Sequence, residues 1–399
     1  MMKGNVSVMK IAMIFDGLGW GGTERVGIDY VRIMKELGCD VDVYNLIPSL
    51  NAMESNIPTD VNIIHYHFSR FLSPQAYSRM LYKASFCGIF LYIAMYIACS
   101  IINFLRRPFC RLKYGQYDIA IAFSGHWNDL AFISQGYVKS KKTVCWIHGA
   151  LYQYIMTSFG YIPLYMSIKN LVVLSTEGDD EVLASCPLLK QRCILTKIYN
   201  PTFFDGSYDS KIVEKLNTTF GLFILTVARM EYPVKDIITL LEAYRLLVNE
   251  ETAAPKLVVV GDGPDLVRFK EYAIKLNLAE RVVFEGARAN VGDYYKACSF
   301  FVLSSGVSEG LPTVIIEAMT YSKPIVATDA APGVREILGN NEYGIVVKKK
   351  SAEDLKKGML RLVEDSDCYS LLAKASAMRS KDFEYKIAMH ELKKMLDSI

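Results

Sequence analysis

Short apolar runs recur along the chain, each closed by a turn rich in glycine, proline or polar residues. In the first half they fall at 10–15, 41–47, 61–66, 117–123, 143–147, 171–174 and 193–198. The rhythm breaks at Tyr199-Asn200-Pro201 and restarts at 221–228, 256–260, 281–284, 300–303, 323–328 and 343–347. Brief continuous apolar runs, separated by stretches of helical period, predict buried parallel strands joined by helices. Helices are expected from Thr23 to about Leu37, over 236–249, from Pro312 onward, and over 352–364 and 382–397. The pattern predicts an α/β protein with a doubly wound parallel sheet in each half and a cleft between them. The expected organisation is a first domain over 1–203, a second over 204–380, and a terminal helix over 381–399 that packs back on the first.

Composition narrows the setting. The 399 residues allow two or three domains, and a 51% hydrophobic share supports large cores. A net charge of +3 does not imply bulk nucleic-acid binding. Nine cysteines without a CxxC pair fit free thiols in a reducing compartment. The apolar run Ile11–Phe15 is too short for a signal peptide, so a cytoplasmic protein is expected.

One region departs from the alternation. No Asp or Glu occurs between Asp60 and Asp118, while Arg70, Arg79, Lys83, Arg106, Arg107, Arg111 and Lys113 all fall there. Between Lys83 and Arg106 lie 22 uncharged residues, enough for a membrane span. A span would split one sheet between two sides of a bilayer. The region is expected to be a helix that dips into an anionic membrane surface through residues 70–113, or one wholly buried in the protein.

Candidate chemistry clusters at strand ends. Residues 302–319 pass from a strand through Ser304, Ser305, Gly306 and Ser308 into a helix near Pro312. Free N–H groups at a helix start make an anion site, and Gly310 lets a ligand come close. Glu309 precedes that helix and Glu317 lies about a turn inside it; carboxylates there suit sugar hydroxyls. Arg229 and Lys235 are placed to neutralise a diphosphate, or else are solvated surface cations. Gly21-Gly22-Thr23 is a strand-to-helix turn with Thr23 as N-cap. His148 follows a strand and is either a cleft residue or a hydrogen-bonded core histidine. Asp40 and Asp42 read as surface charges, Asp365-Ser366-Asp367 as a helix connection, and His65 and His67 as core or cleft-edge residues. None forms a metal set.

On these residues the chain resembles the retaining glycosyltransferases of GT-B architecture, family 4. Gly21 to Val26 (GGTERV), Trp146 to Gly149 (WIHG), Arg229 with Lys235, Gly261 to Pro264 (GDGP) and the Glu309–Glu317 pair run in family order over nearly the whole chain. The resemblance implies two Rossmann-like domains facing a cleft and a metal-independent transferase without a cofactor. Arg229 and Lys235 would hold the donor diphosphate, Glu309 the donor sugar, and Glu317 the ribose. Amides of Gly310, Leu311, Pro312, Thr313 and Val314 would line sugar and phosphate, although Pro312 has no N–H to give. His148 would touch the sugar, Gly21 and Gly22 would line the opposing domain, Gly263 would line the donor site, and Ala287 and Arg288 would meet the base. The Arg229–Lys235 spacing is one residue longer than a common family form. The expected partners are a UDP-sugar and a lipid-linked or surface-polysaccharide acceptor on the inner face of the cell membrane. An epimerase of similar architecture and a non-catalytic sugar-nucleotide-binding partner are the alternatives.

Overall fold

The computed structural model describes residues 8–81, 86–149, 151–158, 160–175, 184, 186–202, 206–306 and 310–399. The chain parts into two compact units, one up to Pro201 joined by Met389–Ile399, the other Thr202–Ala388. The first contains β1 (Lys10–Phe15), β2 (Asp40–Asn45), β3 (Asn62–His65), β4 (Gln116–Ala122), β5 (Lys139–Ile147), β6 (Asn170–Val173) and β7 (Ile194–Lys197). They form one sheet in the order β3-β2-β1-β4-β5-β6-β7. The second contains β8 (Phe223–Val227), β9 (Lys256–Val260), β10 (Val282–Gly286), β11 (Phe300–Leu303), β12 (Ile325–Thr328) and β13 (Ile345–Val347), in the order β10-β9-β8-β11-β12-β13. All pairings within both sheets are parallel.

The apolar runs explain this arrangement. Ile11–Phe15, Phe300–Leu303 and Ile325–Val326 are buried, as strands covered by helices on both faces must be. Strand order reverses between β1 and β4 and again between β8 and β11. In open α/β sheets such switch points open a crevice at the carboxyl ends of the strands. Here that puts the loops after β1 and β4 together in one unit, and those after β8 and β11 together in the other.

Four sequence expectations need correction. The helix Gly22–Glu36 has Gly21 as N-cap, not Thr23. A Cβ on Gly21 would collide with the Glu24 carboxylate, which lies over the helix start and so takes the place a capping side chain would fill. Asp42 is no surface charge: it is buried and accepts a hydrogen bond from the Tyr117 hydroxyl at 2.6 Å. His65 and His67 are exposed at the end of the outer strand β3, and His65 Nε2 pairs with Glu54 at 2.8 Å. The apolar segment becomes a 29-residue helix, Phe86–Tyr114, and it is not wholly buried: only Cys99, Asn103 and Cys110 are. Asp365 caps the helix Ser366–Arg379 by accepting from the Cys368 N–H, which accounts for that acid.

Candidate active site

In the second unit, the loops after β8 and β11 are stitched together by backbone hydrogen bonds. Asp236 N–H donates to the Ser304 carbonyl at 3.0 Å and Gly306 N–H to the Val234 carbonyl at 3.1 Å. Lys235 and Ser305 thereby form an isolated antiparallel bridge. Ser305 is held from the other side by Thr328, whose hydroxyl accepts from its N–H and donates to its carbonyl. Gly306 is needed because a Cβ there would lie 2.6 Å from the Pro233 carbonyl. Lys235 is thus fixed at the mouth of the crevice through its own backbone.

The helix Thr313–Thr320 starts beside this loop. Its N-cap is Pro312, which offers no capping side chain, and its first turn holds no acid. Among the described residues, no acid in its first turn offsets the positive end of its dipole. Glu317 is buried within the helix and accepts from the Tyr295 hydroxyl at 3.0 Å. Gly310 is tied down by steric fit: a Cβ on Gly333 would collide with its carbonyl. Glu309 lies outside the described residues.

Arg229 follows β8, with its side chain largely exposed and its Nε 3.2 Å from Glu231. The glycines of the GDGP turn position it. Gly261 has φ +135, and a Cβ there would collide with the Ala228 carbonyl; one on Gly263 would lie 2.5 Å from the Met230 carbonyl and 2.8 Å from its nitrogen. Met230 N–H donates to Asp262 and Asp265 N–H donates to Met230. Gly261 and Gly263 thus let two backbones touch. Gly261→Ala is expected to cost about 1–3 kcal/mol of stability by overpacking. An unchanged denaturant midpoint would refute that role. Ala287 and Arg288 are exposed beyond β10, two strands from the crevice, and Arg288 pairs with Glu285 at 2.6 Å.

In the first unit the corresponding crevice is lined by carboxylates and neutral histidines. Asp16, just past β1, receives a hydrogen bond from Asn128 at 2.6 Å, and its N–H donates to the Ser124 hydroxyl beyond β4 at 2.9 Å. His126 Nδ1 lies 3.9 Å from its carboxylate. Burial pushes the Asp16 carboxyl up to about 6, against the pull of Asn128, and Glu24 adds to the rise. His148 ends β5's loop and donates from Nε2 to the Phe123 carbonyl at 2.6 Å, since a carbonyl only accepts. Burial holds its imidazole down to about 4, so at neutral pH Nδ1 keeps its lone pair. Burial also depresses His126.

Comparison with known proteins bears on this pair of crevices. Residues 210–379 match the family model for glycosyl transferases group 1. The second unit belongs to that family. The chain is 26% identical over 312 residues, 74% of its own length and 82% of the relative's, to N-acetylgalactosamine-N,N'-diacetylbacillosaminyl-diphospho-undecaprenol 4-alpha-N-acetylgalactosaminyltransferase of Campylobacter jejuni. It is 23% identical to the amylovoran biosynthesis glycosyltransferase AmsD of Erwinia amylovora, over 94% of the chain and 95% of AmsD. Its fold matches Anabaena HepE, solved in complex with UDP and glucose, with a TM-score of 0.73, 17% identity and coverage of 98% of this chain and all of that one. The chain therefore has the GT-B glycosyltransferase fold.

Of the glycosyltransferase's candidate residues, the second crevice gathers Lys235, Ser305 and the start of the Thr313–Thr320 helix. Sequence reasoning missed Asp16, His126 and Asn128, which are far apart in the chain and meet only through the β1–β4 pairing. Their one local signal was position: each follows an apolar strand. The raised Asp16 carboxyl has a testable sign. The unfolded chain, with an ordinary carboxyl near 4, ionises first as pH rises. Stability from this group is therefore full below about pH 4 and lost as pH climbs through about 6. Asp16→Asn cannot ionise and is expected to be more stable than the parent at pH 8, by up to about 3 kcal/mol, and equal to it at pH 4. Thermal melts at both pH values test this; no gain at pH 8 would contradict it.

Proposed function

We propose that the chain is a retaining glycosyltransferase that moves a sugar from a nucleotide-sugar, UDP-linked, to a lipid-linked or surface-polysaccharide acceptor at the inner face of the cell membrane. The observation that carries this is the pairing of Lys235 with the loop that leads to a helix whose first turn, among the described residues, holds no acid. That site suits an anion held against a cation and oriented amides. The two relatives by sequence, one acting on an undecaprenol-linked sugar and one in amylovoran biosynthesis, support the acceptor class.

On this reading the donor diphosphate lies against Lys235, Arg229 and the helix start. The bond between the anomeric carbon and the diphosphate oxygen breaks, its electron pair going to that oxygen. Positive charge already in place there stabilises the leaving group without reorganisation and without a metal. The acceptor oxygen attacks the same face of the sugar, and its proton passes to the leaving phosphate. Glu309 faces the sugar hydroxyls, Glu317 the ribose, and Ala287 and Arg288 the base. His148, neutral, accepts a hydroxyl hydrogen at Nδ1. The carboxylates of the first unit suit acceptor hydroxyls and repel phosphate. The helix Phe86–Tyr114 carries the protein to the membrane, its exposed apolar face supporting that role.

The deciding experiment is a thermal-shift screen without metal against UDP, GDP, ADP and their sugar conjugates. A ligand at a hundredfold its Kd stabilises by about 2.7 kcal/mol. A shift with UDP conjugates is expected. No shift with any of them, from folded protein, would overturn the reading.

A further inference from the structure

The helix Phe86–Tyr114 is long and apolar enough to cross a bilayer, but the fold gives it another geometry. β3 before it and β4 after it lie in the same sheet, so both of its ends return to one body. Asn103, fully buried mid-helix, docks it there: its amide donates to the Leu72 carbonyl at 2.8 Å and to Gln135 at 3.2 Å, and it accepts from the Tyr137 hydroxyl at 2.7 Å. The opposite side is left outward, with Phe90 at 72%, Phe109 at 78% and Leu112 at 86% exposure.

The basic end of this helix is organised rather than simply solvated. Arg107 Nε donates to the Asn103 carbonyl and Arg111 Nε to the Gly136 carbonyl, fixing both arms. Nη atoms of both guanidinium groups fall within 4 Å of the point where a Cβ on Gly136 would stand. Two like charges are thus held side by side, and neither forms an ion pair among the described residues. With Lys139 at the start of β5 they border an open groove of about 580 Å³, whose apolar walls are Phe104, Pro108 and Leu112. The groove sits at the amino ends of β4 and β5, the edge of the sheet away from Ser124 and His148.

We propose that this groove is a binding site for the headgroup phosphate of an anionic membrane phospholipid, with the apolar walls taking the start of its acyl chains. Paired guanidinium forks match phosphate oxygens, and a neighbouring hydrocarbon wall suits an amphiphile better than a free ion. The site rests on the reading that the helix lies in the membrane surface. It is separate from the crevice where transfer takes place, so its lipid is an anchor and not the acceptor.

The test is partition of the full chain onto vesicles of phosphatidylcholine alone and of phosphatidylcholine with phosphatidylglycerol. The parent is compared with R107Q/R111Q/K139Q and with K211Q/K215Q/K270Q, which removes the same charge from exposed sites of the second unit. Each cation near an anionic surface contributes about fivefold, so the groove variant is expected to bind phosphatidylglycerol vesicles on the order of 100-fold more weakly. The charge-matched control is expected to stay within about threefold of the parent. Equal losses in the two variants would overturn the groove while leaving membrane association standing. Failure of the parent to bind either vesicle would overturn both. Circular dichroism and melting of each variant confirm that it is folded, and a single R111Q variant, expected to weaken binding about fivefold, serves if the triple variant does not fold.

Discussion

Lys235→Ala is expected to lower sugar transfer by about 10²–10³-fold, the usual loss when one oriented charge or donor at a developing anion is removed. The fold should survive, because the loop is held by backbone groups that the substitution leaves alone. Lys235 N–H donates to Glu231, Asp236 N–H to Ser304, and Gly306 N–H to Val234. Loss should therefore appear in kcat as well as in donor affinity, since charge on the leaving diphosphate grows toward the transition state. Single-turnover rates with saturating donor separate the two. Near-normal turnover in a folded variant would remove Lys235 from the reaction. Lys235→Arg is expected to recover part of the rate, as a charge returns with different reach.

The second large effect concerns the membrane. Replacing Phe90, Ile97, Phe104 and Phe109 together with Ser or Gln is expected to release the protein from membranes by more than a thousandfold. Each is exposed in the isolated chain. Moving one such side chain from water into hydrocarbon contributes about 1.5–3 kcal/mol, and partial immersion of four still sums past that ratio. Solubility of the purified variant should rise at the same time, because a large exposed apolar patch is removed. Co-sedimentation with vesicles measures the first and light scattering the second. Unchanged vesicle binding would mean that the outward face touches something other than lipid.

The fold was largely legible because parallel sheets write themselves as short apolar runs. Every run anticipated from the sequence corresponds to a strand, with boundaries displaced by a few residues where polar ends such as Lys139–Lys142 join β5. The second crevice was legible too, because Ser304–Thr313 is contiguous in sequence and Lys235 is brought beside it by one strand pairing. The first crevice was not. Asp16 and Asn128 are separated by 112 positions, and a single Asp after a strand carries no local signature. Asp42 was misread for a related reason: its partner Tyr117 is supplied by a strand 75 residues away. The exposed helix was legible as an apolar window, but where it ends was not. Arg106 to Lys113 end an apolar window without ending helical hydrogen bonding.

The two sheets follow nearly the same winding order, yet equivalent loops at their crevices carry different charges. The loop after β1 carries Asp16, whereas the corresponding loop after β8 carries Arg229 and Lys235. On the proposed reading, a diphosphate offered to the first crevice would meet the Asp16 carboxylate instead of Lys235. Two sheets of one winding would then tell donor from acceptor by the sign of charge in equivalent loops, and shape need not be the discriminator.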